Sequence, residues 1–159
     1  MLPRLFAILL LPLALVTLIQ AVSVIQQDIA LNALESETGF WGQANYQPTA
    51  QTRRDTHTAM QALLLRDPDN AIYLTLQANQ QAWEAFWAED MRAFRLHAEQ
   101  AIAAQAAAQR ARPAFRQGWQ LLLAYSEALN AQNMVQQAEK QLAILDTVQQ
   151  GYSPATGVQ

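Results

Sequence analysis

An uninterrupted apolar run stands near the N-terminus of the chain. Leu5–Ile25 carries no charge, and its only polar side chains are those of Thr17, Gln20 and Ser23. In a helix these 21 residues extend about 32 Å, close to the ~30 Å hydrocarbon core of a bilayer. The pattern therefore predicts a membrane anchor over residues 1–25, with Pro12 tolerated inside the span.

A cleaved signal peptide is the alternative interpretation of the same run. Residues 5–19 fit an apolar signal core, and Ala21, Val22 and Ser23 form a small-x-small cleavage pattern. The apolar run continues through Val24 and Ile25, which is longer than a usual signal core, so we favour an uncleaved anchor.

Charges on either side of the run predict its orientation. Arg4 is the only charge before it, whereas Asp28, Glu35 and Glu37 follow it. The positive-inside rule then places the short N-terminus in the cytoplasm. We expect a single-pass protein of the bacterial inner membrane, with the rest of the chain facing the periplasm.

Helical periodicity dominates the chain after the anchor. Residues 26–38 show a loose helical face, and residues 39–50 form a linker that contains the helix-disfavouring residues Gly39, Gly42, Asn45 and Pro48. Phe40, Trp41 and Tyr46 make this linker apolar. We expect it to dock on the following domain, and a position at the lipid interface is the alternative.

Five amphipathic helices are predicted over residues 51–150, and a disordered tail over 151–159. Asp67–Asn70 and Arg112–Pro113 interrupt the period, because proline cannot continue a helix. Asp69 or Asn70 and then Asp90 are candidate N-caps, and Gly151 is a candidate C-cap. The predicted helices are Thr52–Arg66, Ala71–Ala88, Met91–Ala111, Ala114–Leu129 and Met134–Gln150. Their inward faces are expected to include Met60, Leu63, Ile72, Leu76, Trp83, Phe86, Trp87, Met91, Phe94, Ala98, Trp119, Leu122 and Ala138.

Composition excludes several classes of function. Charged residues make up only 14% of the chain, the net charge is −3 and there is no cysteine. An acidic balance argues against nucleic-acid binding, and the lack of cysteine excludes disulfides and thiolate chemistry. His57 and His97 lack metal-ligand spacing, so we expect surface histidines. No phosphate loop or nucleophile elbow is present, so no cofactor and no enzymatic activity are expected.

Acidic side chains offer no convincing catalytic pair. Glu84, Glu89 and Asp90 could be imagined as paired carboxylates for glycosidic cleavage. They fall on a polar helix face and at a helix junction, where caps and solvated charges are expected. We therefore assign none of them to catalysis.

A basic cluster beside two aromatic residues is the first candidate interaction surface. Arg110, Arg112 and Arg116 lie near Phe115 and Trp119 in the sequence. Guanidinium groups bind carboxylates and phosphates, so an acidic glycan or lipid headgroup could lie there. The favoured interpretation is a helix end whose dipole is stabilised by cations, with both aromatics in the core.

Aromatic residues are densest from the second to the third predicted helix. We expect three or four of them to fill the core, and any left over to mark a partner surface with Trp83 and Trp87 as candidates. The stretch contains Tyr73, Trp83, Phe86, Trp87 and Phe94.

The helix punctuation resembles degenerate tetratricopeptide (TPR) repeats. The matching positions are Trp119, Leu121, Leu122, Ala138, Leu142 and Leu145, with Pro113 closing the preceding unit. Leu123 stands where a small residue is expected. Pro68 and Pro113 are 45 residues apart, against roughly 34 in that repeat. The resemblance implies an antiparallel array of helical hairpins over residues 51–150.

The order of elements is similar to that of VpsP-like polysaccharide-biosynthesis proteins. The similarity rests on the N-terminal span, the Asp67–Asn70 junction, and the Ala106–Trp119 segment followed by LLLAYSEAL. It implies a non-enzymatic, membrane-anchored accessory or scaffold protein for exopolysaccharide synthesis or export, whose partners are proteins of that machinery. The alternatives are a scaffold for pilus or cytochrome biogenesis and a periplasmic glycan-binding subunit. Because large aromatics outnumber what few helices can bury, self-association is a further hypothesis.

Overall fold

The computed structural model describes the backbone of residues 2–151 and the side chains of residues 12–148. Within that part of the chain every regular element is a helix and no strand occurs, which confirms the all-helical prediction. The predicted tail beyond Gly151 and the side chain of Arg4 lie outside the described residues. The helices are α1 (Leu2–Phe40), α2 (Ala50–Arg66), α3 (Ala71–Phe86), α4 (Met91–Ala111), α5 (Arg116–Ala128) and α6 (Gln132–Gly151).

Helix α1 is long and apolar enough to cross a membrane. It has 39 residues, which corresponds to roughly 58 Å, and Pro12 lies inside it without ending it. The most apolar stretch within Pro12–Phe40 has a mean hydropathy of 1.5, and none of it is buried. Signal sequences share these properties, so length and composition leave the cleaved alternative in place.

Two compact units divide the chain between Gln47 and Pro48. In the first unit, α1 continues to Phe40, so the predicted linker is wrong at Gly39 and Phe40, which are helical. The helix ends where Gly42 adopts a φ of 82°, a conformation that favours glycine.

The segment after α1 folds back on the last turns of that helix. The indole Nε1 of Trp41 donates to Oε1 of Glu37 at 3.0 Å, and the hydroxyl of Tyr46 donates to the same oxygen. The Phe40 and Tyr46 rings lie 5.8 Å apart. The hydrogen bond to Glu37 and burial both raise the pKa of Tyr46.

Local capping explains where α3 and α4 begin. The side chain of Asn70 accepts from the backbone N–H groups of Ile72 and Tyr73 at 3.0 and 3.4 Å. Asp90 accepts from those of Arg92 and Ala93, each at 2.8 Å. Both side chains satisfy N–H groups that have no partner within the helix, so these predicted caps are confirmed.

Helix α5 begins two residues later than predicted. Ala114 was expected to open it, but the Phe115 N–H donates to the Arg112 carbonyl at 3.0 Å and makes a separate turn. The Pro113 carbonyl accepts from Nε1 of Trp119 at 2.8 Å. These bonds hold the chain in a turn up to Phe115. At the other end of the unit, Gly151 is the last residue of α6 rather than a cap beyond it.

Each helix of the second unit packs on its neighbours in the sequence, and the closest pair is α3 with α4. Alanines make up most of the buried positions of α4, and small side chains let neighbouring helices approach closely. The buried alanines of α4 are Ala98, Ala101, Ala104 and Ala108. Farther along, Trp119, Leu122 and Ala138 form a core cluster between α5 and α6.

Helix α3 is buried on two opposite faces. Tyr73, Leu76 and Gln80 follow one stripe, whereas Ala71, Ala78 and Ala85, spaced by seven, lie on the other side. The expected single inward stripe is therefore wrong for Ile72 and Phe86, which are 43% and 74% exposed. Met91, also expected inside, is 72% exposed. The prediction placed the largest apolar side chains inward, but close helix packing favours the small ones.

Candidate functional site

An apolar groove of about 600 Å³ lies between α4 and the turn that joins α5 to α6. Ile102 and Ala106 form part of its wall and pack against the Trp119 cluster. Met134 contributes from α6, and the exposed Met91 stands at one end. The groove thus exposes apolar side chains that are supported from behind by the core.

A tight turn closes one side of this apolar groove. Asn130 has a φ of 54°, a left-handed conformation that asparagine tolerates better than most residues. The Ala131 N–H donates to the Ser126 carbonyl at 2.8 Å across the turn. Because this backbone is hydrogen-bonded, the groove is bounded by an ordered turn. The charged side chains that line it are Arg95 and Glu99.

A second, polar groove of about 590 Å³ is lined by α2, α3 and α4. It brings together His57 and His97, the two residues that were expected to be surface histidines. Nδ1 of His97 lies 2.8 Å from Oε1 of Gln81, so Nδ1 donates, because a carboxamide oxygen only accepts. Among the described residues no group of three His, Cys, Asp or Glu side chains could hold a metal ion.

Two arginines line the same polar groove. Nη1 of Arg53 lies 3.0 Å from Oε2 of Glu84, and this part-buried ion pair joins α2 to α3. Nη2 of Arg54 donates to Oε1 of Gln51 at 2.7 Å. The Arg54 guanidinium therefore has a neutral hydrogen-bond partner, whereas the Arg53 charge is balanced. The spacing of Arg54 and His57 on α2 was a sequence signal for a shared face, but nothing in the sequence pointed to His97.

The three arginines of the predicted interaction surface each have different surroundings. Arg110 is exposed, and the Arg112 guanidinium lies 4.7 Å from the centre of the Phe115 ring. Arg116 forms an ion pair with Asp146 of α6. Trp119 is 5% exposed and belongs to the core. None of the three arginines lines either groove.

The aromatic residues at the end of α3 form a stacked cluster at the surface. The Trp83 and Trp87 rings are stacked at 5.5 Å, and Phe86 meets Trp83 edge-on at 5.6 Å. The Arg53 guanidinium lies 5.6 Å from the centre of the Trp87 ring. The expectation that three or four of these aromatics fill the core is wrong, since Tyr73 alone among the five is buried.

The three acids considered for catalysis occupy different surroundings. Glu84 pairs with Arg53, Asp90 caps α4, and Glu89 is exposed between α3 and α4.

Glutamine side chains in the interior are the feature that sequence analysis missed. Nε2 of Gln105 donates to the Gly118 carbonyl at 3.3 Å, and Nε2 of Gln109 donates to that of Phe115 at 3.1 Å. Glutamine is generally a surface residue, so no signal in the sequence marked these positions. Within the described part of the chain, the buried side-chain oxygens that lack a hydrogen-bond partner belong to Gln80, Gln105, Gln109 and Ser126.

A half-buried tyrosine links α5 to α3. The Tyr125 hydroxyl donates to Oδ1 of Asn79 at 2.7 Å. Burial raises the pKa of Tyr125 to about 12, because the interior disfavours the charged phenolate. This hydrogen bond joins helices that are not consecutive.

No family model matches the chain, and no curated protein or solved structure is significantly similar to it.

Proposed function

We propose that the protein is a non-enzymatic, membrane-anchored scaffold whose helical domain binds partner proteins of the exopolysaccharide synthesis or export machinery. The apolar groove between α4 and the α5–α6 turn carries this proposal. Met91 at its end is 72% exposed, and with Ile102 and Met134 it gives the groove a contiguous apolar lining of the kind that partner proteins cover. The resemblance to VpsP-like proteins supplies the class of partner.

The helical domain is proposed to be a TPR-like antiparallel array. Contacts between successive helices support this arrangement. Arg53 in the first turn of α2 pairs with Glu84 in the last turn of α3, and Arg116 at the start of α5 pairs with Asp146 late in α6. Gln81 late in α3 likewise meets His97 early in α4. In each pair an early position on one helix faces a late position on the other.

The proposed mechanism is docking of an amphipathic helix. Such a helix would place its apolar side chains along Ile102, Ala106 and Met134, with its charged residues near Arg95 and Glu99. We propose that α1 holds the domain at the periplasmic side of the inner membrane. Confinement to the membrane raises the effective concentration of the domain around membrane-bound partners, so a modest groove affinity suffices.

A charge placed in the groove tests this function. Ala103 is an exposed groove residue, so Ala103→Arg obstructs the groove without entering the core. Ala124→Arg places the same charge on the exposed face of α5 and serves as the control. We expect exopolysaccharide synthesis or export proteins to co-purify with the wild-type chain and with the control, and to be lost with Ala103→Arg.

Retention of those partners by Ala103→Arg would exclude the groove as their docking site. If proteins of a pilus or cytochrome assembly co-purify instead, the scaffold belongs to that assembly and not to exopolysaccharide synthesis or export. N-terminal sequencing of the membrane-fraction protein distinguishes an uncleaved anchor from a cleaved signal peptide, because cleavage after Ser23 would remove most of the apolar run.

A further inference from the structure

We infer that the polar groove between α2, α3 and α4 binds a carboxylate-bearing saccharide, such as a uronic-acid residue of an acidic glycan. In this assignment Arg54 and His57 bind the carboxylate, and the carboxamides of Gln81 and Gln100 bind sugar hydroxyls. The inference rests on the groove lining alone and does not depend on the docking function proposed for the apolar groove.

The balance of charge in the groove points to an anion. Among the residues that the structure describes, Glu84 is the only acid that lines it, and this acid is engaged by Arg53 at 3.0 Å. Arg54 is exposed, and its hydrogen-bond partner, Gln51, is neutral. His57 follows Arg54 by three residues on α2, so the two side chains share a face. An exposed guanidinium beside an imidazole matches the planar, two-oxygen geometry of a carboxylate.

The remaining lining points to a sugar rather than a bare anion. A volume of about 590 Å³ lies in the range of small-molecule sites and far exceeds the size of one carboxylate or phosphate. Gln81 and Gln100 supply groups that both donate and accept hydrogen bonds, as sugar hydroxyls do. Leu96, 53% exposed, adds an apolar surface for the C–H face of a sugar ring.

The Gln81 carboxamide is held in place before any ligand arrives. Its oxygen accepts from Nδ1 of His97 at 2.8 Å, and Gln81 itself is buried. Arg53 is also held, since it pairs with Glu84 and lies against the Trp87 ring. Three sides of the groove are therefore ordered, and less conformational entropy is lost on binding than at a flexible surface.

Calorimetric titration of the full chain in phosphatidylcholine nanodiscs tests the inference. The ligands are an oligosaccharide of glucuronic acid, the matching neutral glucose oligosaccharide and inorganic phosphate. We expect the glucuronic acid oligosaccharide to bind at least about tenfold more tightly than either of the others. Arg54→Gln and His57→Gln should each weaken that binding, the first by about tenfold, because a charge-assisted hydrogen bond is lost.

Arg66→Gln is the matched control, since Arg66 is an exposed arginine on the same helix that does not line the groove. It should bind as the wild type does, and circular dichroism melting should show all three variants folded. Wild-type affinity in both Arg54→Gln and His57→Gln would overturn the site. Equal affinity for phosphate or for the neutral oligosaccharide would overturn the assignment to an acidic sugar.

Discussion

Replacing Gly118 by alanine tests whether the glutamine-lined interior holds α4 against α5. Gly118 is buried in the first turn of α5, and a Cβ built there would lie 2.7 Å from Cδ of Gln109 and 2.9 Å from Nε2 of Gln105. The nearest atom to this Cβ would be Nε2 of Gln109, at a distance shorter than real Cβ contacts show. Both carboxamides would have to move, although they donate to the Phe115 and Gly118 carbonyls.

The expected change in the free energy of unfolding combines two destabilising contributions and one stabilising contribution. Losing two buried hydrogen bonds costs about 1 kcal/mol each, and overpacking costs about 1–3 kcal/mol. Alanine returns up to about 1 kcal/mol through its better helix propensity. We therefore expect Gly118→Ala to lower the free energy of unfolding by about 2–4 kcal/mol. In a unit of this size that lowers the melting temperature by more than about 8 °C.

Urea unfolding of the full chain in detergent micelles, followed by circular dichroism at 222 nm, measures this change. Gly39→Ala is the matched control, because Gly39 is also helical and an added Cβ meets nothing within 4 Å. It should leave stability unchanged or slightly raised. The double variant Gly118→Ala/Gln109→Ala should lose less than the sum of its single variants, since removing Gln109 relieves the closest contact. A Gly118→Ala protein as stable as the wild type would refute the reasoning.

Three further predictions concern caps, ionisation and the arginine surface. Asp90→Ala should cost about 1 kcal/mol in urea unfolding because two N–H groups lose their acceptor, whereas Glu89→Ala should change little. If Asp90→Ala changed the free energy of unfolding no more than Glu89→Ala, the cap would contribute nothing to stability. The pKa of Tyr125 is raised to about 12 in the folded state. Its contribution to the free energy of unfolding is therefore complete below pH 10 and is lost as the pH rises towards 12. Absorbance titration at 295 nm should show a late phenol that is missing in Tyr125→Phe. Asp146→Asn, which breaks a partly exposed pair with Arg116, should cost under about 1 kcal/mol in low-salt unfolding, and a loss insensitive to salt would contradict this.

Helix positions were predictable from the sequence because they depend on local chemistry. Pro68 and Pro113 interrupt the backbone hydrogen bonding, and Asn70 and Asp90 satisfy N–H groups only two or three residues away. The predicted bounds of α4, Met91–Ala111, agree with the structure. The apolar run in α1 was also predictable from local sequence, since its length and hydropathy alone make it suitable to span a membrane.

The buried faces were less predictable, because they depend on how many neighbours a helix has. One period of apolar residues describes a helix that packs on a single side. Helix α3 packs on two, so Ala71 and Ala85 are buried while Ile72 and Phe86 are exposed. Hydrophobicity ranks phenylalanine above alanine for burial, whereas the packing of α3 on two faces reverses that order here.

The sequence by itself determined that this chain is helical, where α3 and α4 begin, and that its first helix is apolar enough for a membrane. Only the tertiary structure decided that His57 and His97, forty positions apart, line one groove, and that Gln105 and Gln109 are interior residues. The physical reason is the range of the interactions. Caps and proline breaks act within one helical turn, but groove lining and buried hydrogen bonds require the relative placement of separate helices, which no local pattern specifies.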